Sequence, residues 1–121
     1  SIGVDEFLTE WLSKPLFAGL GPERSHRDAR RRNSAAGLAS SLRMCGTGTQ
    51  QPLWEELPRL ACPTLVVVGA EDPKFRSLGE RLRDAIGPTA ELVTIADAGH
   101  NAPLEHPEET AAVIGARTDR W

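Results

Sequence analysis

Two loops of the 121-residue chain hold side chains that could move protons. "GAEDP" places Glu71 and Asp72 after one short apolar run, and "DAGHNAPLEHPEE" places Asp97 and His100 after another. An aspartate that accepts the Nδ1–H of a histidine fixes the tautomer and stabilises the imidazolium that forms when the ring takes a proton. Asp72 is therefore the candidate orienting partner of His100. Each residue also has a plainer reading: Asp72 precedes Pro73, where aspartate commonly serves a turn, and His100 could cap a loop or a helix. Asp97 is nearer to His100 in sequence, but it precedes Ala98-Gly99 and reads as a residue of that turn.

The third member of such a relay is missing. Serine nucleophiles sit on a sharp strand-to-helix turn written G-x-S-x-G. No such pattern occurs in this chain; Ser34, Ser40 and Ser41 fall in a helical stretch, and "GLASS" lacks the second glycine. His26, His100 and His106 are not spaced as metal ligands, so neither a metal nor another cofactor is expected. "GTGTQ" follows a helical stretch rather than a strand, which weakens a dinucleotide reading.

The elements that must position these residues fall into two halves. From about Leu60 onward the pattern alternates strand and helix. Thr64–Val68 is β-branched and apolar on successive positions, the mark of a strand buried on both faces in a parallel sheet. "KFRSLGERLRDAIG" predicts a helix with Phe75, Leu78, Leu82 and Ile86 on one face and Gly87 as its stop. Glu91–Ile95 predicts a second strand, and "HPEETAAVIGARTDRW" a last helix with Pro107 in its first turn. In parallel α/β sheets functional groups gather at the carboxyl ends of strands, where Asp72 and His100 both fall.

Before Leu60 the chain reads as helical. Phe7, Leu8, Trp11 and Leu12 recur at helical spacing behind Asp5 as a possible N-cap, and Pro15 ends the segment. A charged helix is expected from about Glu23 to Arg32. A further one follows Asn33 or Ser34 as cap, with a stripe of Ala36, Leu38, Leu42 and Cys45, and stops at Gly46. The chain begins inside a helical pattern, which suggests a cut rather than a natural start.

The bulk numbers suit one small soluble domain: 40% hydrophobic, 26% charged, formal net charge −3. That charge argues against general attraction to nucleic acid or membrane, and Arg30-Arg31-Arg32 is too short a run to change it. No apolar stretch approaches the ~20 residues of a membrane span. Cys45 and Cys62 show no paired spacing and no signal-peptide pattern opens the chain, so reduced thiols and a cytoplasmic location are expected.

"VVVGAEDPKF" followed by "ADAGHNAPLEHPEE" resembles the C-terminal half of the α/β-hydrolase fold, in which the order is Ser, then Asp, then His. The helical half narrows the resemblance. "FLTEWLSKPLFAGL" and the "GLA-x-SLR…GTG-x-Q-x-x-LW" run look like the menaquinone-pathway lyases that eliminate pyruvate from a 2-succinyl-cyclohexene carboxylate. The resemblance implies a helical cap over residues 1–60 and the C-terminal part of the hydrolase core over 61–121. It implies a serine outside this chain, His100 taking its proton, and Asp72 orienting His100. The serine then acts as a base on a ring proton. A small carboxylate-bearing substrate calls for a bidentate arginine, and the family's spacing to an asparagine points to Arg30 with Asn33. Trp11 matches a tryptophan that closes over substrate, and Phe75 would line the pocket. The partner implied is the N-terminal half of the same enzyme, in the same chain or another. Where these lyases often carry a second histidine three residues after the first, this chain has Pro103. Two other readings stand beside the lyase: an ester or lactone hydrolase using the same Asp72 and His100, and an inactive fragment or interaction module.

Overall fold

β1 (Thr64–Gly69) and β2 (Ala90–Ile95) run parallel, with Thr64 opposite Ala90 and Gly69 opposite Ile95. The computed structural model describes residues 3–118. Parallel strands need a crossover, and α4 (Pro73–Ile86) supplies it. It is capped at both ends: Asp72 Oδ1 accepts the Phe75 amide at 3.1 Å, and Gly87 closes it with φ +92°, a backbone that only glycine adopts freely. α4 lies against one face of the sheet. A Cβ at its buried Gly79 would press on Val66, Val68 and Leu92, so the glycine lets helix and strands approach closely.

The other face carries the core. Val67 and Val93 pack with Ile95, Ala98 and Ala102, and Val113 of α6 (Pro107–Thr118) closes over them. Ile95 is fully buried, a contribution of about 2–3 kcal/mol. α5 (Ala102–Glu105) is a single turn between β2 and α6. The last three residues of the expected final helix lie outside the described residues. No helix among the described residues is long and apolar enough to cross a membrane.

Ahead of the sheet lie α1 (Val4–Leu12), α2 (Arg27–Arg30) and α3 (Ala35–Cys45), with 3₁₀ turns at Pro15–Phe17, Thr47–Thr49 and Leu57–Arg59. Four sequence expectations need correction here. Gly3, not Asp5, stands at the N-cap of α1; Asp5 falls in the first turn, where it suits the helix dipole and binds Arg31. The charged helix expected over 23–32 is one turn, because residues 21–25 form a tight turn of their own and His26 takes a left-handed backbone, φ 49°. Ser34 caps α3 as anticipated, its hydroxyl accepting the Gly37 amide at 3.0 Å, yet no residue of α3 is buried and Leu42 is 66% exposed. β1 is fully buried only at Val68 and Gly69; Thr64–Val67 are half-buried, because the described sheet has two strands.

Candidate active site

The ends of β1 and β2 are joined beyond the last paired residues. Ala70 donates its amide to the Ile95 carbonyl at 2.9 Å and Glu71 to the Ala98 carbonyl at 2.8 Å. The strand ends approach so closely that a Cβ at Gly69 would overlap the carbonyl oxygens of Ala98 and Gly99. This fastening brings Asp72, at the head of α4, to His100, in the loop after β2. His100 Nδ1 lies 2.7 Å from Asp72 Oδ2.

Asp72 is only 7% exposed, which shields the pair from water and strengthens the bond. An ionised carboxylate can only accept, so opposite an ionised Asp72 the proton of this bond belongs to Nδ1; the ring in its neutral form would then keep the Nε2 lone pair. The Phe75 ring stands 4.4 Å from the imidazole, centre to centre, at 57°. Sequence periodicity puts Phe75 on the core face of α4; at the first turn of the helix it is instead 37% exposed and walls His100.

Glu105 ends α5, the turn after this loop; with Gly99-His100 and Pro107 it belongs to the stretch that resembles the family's histidine loop and final helix start, a resemblance that gives it no role. It is 4% exposed, and its carboxylate accepts the amides of Gly99 at 2.7 Å and Asn101 at 2.9 Å, the two neighbours of His100. The sequence signal was the resemblance of Gly99-His100, Glu105 and Pro107 to that loop; nothing in composition marks Glu105 as buried.

Trp11 and Arg30 meet in the helical half. The guanidinium stacks 5.0 Å from the indole centre, and Trp11 also packs on Phe17 at 4.3 Å. Arg30 Nε donates to the Ser25 carbonyl at 2.8 Å, and Asn33 Nδ2 to the Arg30 carbonyl at 2.9 Å. The neighbouring arginine is employed differently: Arg31 is held by Asp5 and Asp28, and its hydrogen bond with Asp5 raises its pKa above the ordinary value.

Two depressions result. One, of about 390 Å³, is lined by His100, Asp72, Glu71, Asp97 and Glu105 together with Leu16 and its neighbours. The other, of about 350 Å³, is lined by Trp11, Arg30, Asn33, Phe7, Leu38 and Leu42. The structure thus groups Asp72, His100 and Phe75, and separately groups Trp11 and Arg30, without placing the two groups in one cavity. Asp97 sits exposed at the turn with φ 54°. No group of three His, Cys, Asp or Glu among the described residues is arranged to hold a metal.

The alpha/beta hydrolase family profile matches residues 3–113. The chain belongs to the α/β-hydrolase family. Within that family it is 39% identical, over 113 residues and 90% of its length, to the 2-succinyl-6-hydroxy-2,4-cyclohexadiene-1-carboxylate synthase of Serratia proteamaculans. It is 31% identical over 117 residues and 93% of its length to a protein of Bacillus subtilis named as a putative synthase of the same kind. The solved structure of MenH from S. aureus superimposes with a TM-score of 0.88 at 30% identity, covering 94% of this chain and 44% of that one. The chain spans about two fifths of the curated relatives it matches, 41% and 42% of their lengths. Within this family, the chain presents a hydrogen-bonded aspartate and histidine at adjacent strand ends.

Proposed function

We propose that this chain is the cap and C-terminal core of a menaquinone-pathway lyase that eliminates pyruvate from a 2-succinyl-cyclohexene carboxylate. Residues 1–60 form the cap and 61–121 the core portion. The observation that carries the reading is the 2.7 Å pair between His100 Nδ1 and the buried Asp72, in a chain whose relatives are named as that synthase.

In the proposed mechanism a serine outside these residues gives its proton to His100 Nε2. Asp72 holds the ring in place and stabilises the imidazolium. The serine oxygen then removes a ring proton, a ring double bond forms as the ring C–O bond to the leaving group breaks, and the departing enolate takes the proton from His100 and leaves as pyruvate. No acyl intermediate forms. Arg30, fixed on Trp11, faces a substrate carboxylate, and Phe75 packs beside His100. Because Arg30 and His100 line separate depressions, the substrate must extend between them. The reaction needs no cofactor, and the enzyme works in the cytoplasm. Without the serine-bearing half, the chain is inactive.

Pro103, where such lyases often carry a second histidine, favours a second reading as an ester or lactone hydrolase. One experiment separates the two. The chain is fused behind the part of the Serratia proteamaculans enzyme that it does not match, and the fusion is offered the cyclohexene substrate and a p-nitrophenyl ester. Pyruvate release with negligible ester cleavage supports the lyase. The reverse result supports the hydrolase.

A further inference from the structure

We propose that Glu105 is a positioning residue for His100, a role that rests on the reading of Asp72 and His100 as a proton relay. Its two carboxylate oxygens accept one amide each from Gly99 and Asn101, so the residues on both sides of His100 are held by one side chain. The arrangement is reciprocal. Asn101 N–H reaches Glu105 Oε1, and Glu105 N–H donates back to the Asn101 carbonyl at 2.9 Å. A buried carboxylate is costly unless its oxygens are satisfied, and bonds from amides to a charged acceptor are among the stronger ones. Here they are spent on fixing the backbone that aims the imidazole at Asp72.

The helical half reaches the same post. Arg24 Nη1 donates to the Glu105 carbonyl oxygen. A Cβ at Gly19 would overlap Glu105 Oε2, the oxygen that holds Gly99. The added methyl and Glu105 Oε2 cannot both keep their places, and the carboxylate yields into the depression that it lines. Gly19→Ala therefore displaces the clamp while leaving Glu105 itself in the chain.

The readout is the His100 Nδ1 proton, observed by NMR in the fusion described above, uniformly labelled with ¹⁵N. A proton shared with a buried carboxylate is shifted downfield and exchanges slowly with water. Losing the clamp leaves two amides without partners, and Glu105→Ala speeds exchange of that proton by about tenfold or more. Gly19→Ala acts in the same direction. Glu105→Gln, which keeps one acceptor oxygen, lies between. Amide protection in β1 and β2 reports whether each variant is folded; if Glu105→Ala is not, Gly19→Ala decides. An unchanged His100 proton in folded Glu105→Ala, or in Gly19→Ala, overturns the proposal. Asp72→Asn must move the same signal. If it does not, the relay reading falls and this proposal with it; if it does and the Glu105 and Gly19 variants do not, the proposal alone falls.

Discussion

The two oxygens of Asp72 face different partners: Oδ1 takes the Phe75 amide and Oδ2 lies against His100 Nδ1. The turn residue before proline and the partner of a histidine are therefore one residue, and its two readings do not compete. They can be separated by substitution. Asparagine is as good an N-cap as aspartate, whereas alanine caps poorly. Asp72→Ala is expected to lower stability by about 1 kcal/mol more than Asp72→Asn does, measured by urea unfolding. Equal losses would mean that the cap bond contributes nothing. Among the three consecutive arginines the structure also discriminates. Arg31 is engaged by Asp5 and Asp28, while Arg30 lies over Trp11. In the complete enzyme Arg30→Ala raises KM with kcat little changed, and Arg31→Ala leaves both alone. A KM effect confined to Arg31→Ala would reassign the substrate arginine.

At the scale of elements, the βαβ unit was legible because its patterns are strong: a β-branched run, a helix bounded by Asp72 and Gly87, and a second run ending before Asp97. The pairing of Asp72 with His100 was legible because both residues follow those strands directly. The helical half was read less well. Nothing local says that His26 turns left-handed and shortens α2, or that α3 leaves its apolar stripe unburied; these depend on what each segment packs against. The contacts of Glu105 were hidden for the same reason: the resemblance includes the residue, but burial of a glutamate is a tertiary fact. The close approach at the strand ends makes its own prediction. Gly69→Ala forces the Ala98 and Gly99 carbonyls aside, and overpacking of this kind costs about 1–3 kcal/mol. It should also shift the His100 imidazole resonances, because the same contact sets the two loops side by side. Wild-type stability and unshifted resonances would show that the loops are fastened elsewhere.

At the scale of the whole molecule, the described sheet has two strands, and β1 is half-buried over most of its length. Two strands alone are marginal in water, and unpaired apolar strand edges invite association. Leu42, Met44 and Leu53 add exposed apolar surface at 66%, 77% and 65%. The isolated chain is expected to bind a hydrophobic dye or to self-associate; a dye-negative monomer on size-exclusion chromatography would contradict this. The relatives are more than twice as long as the part matched here, and the proposed relay takes its serine from outside these residues. The most direct measurement is the rate of pyruvate elimination by the fusion of this chain to the remainder of the Serratia proteamaculans enzyme, with Asp72 intact and with Asp72→Asn. Loss of the correct histidine tautomer predicts a fall in kcat on the order of 10³–10⁴-fold. An Asp72→Asn fusion that releases pyruvate at the rate of its parent would contradict the assignment of Asp72 and His100 as the relay.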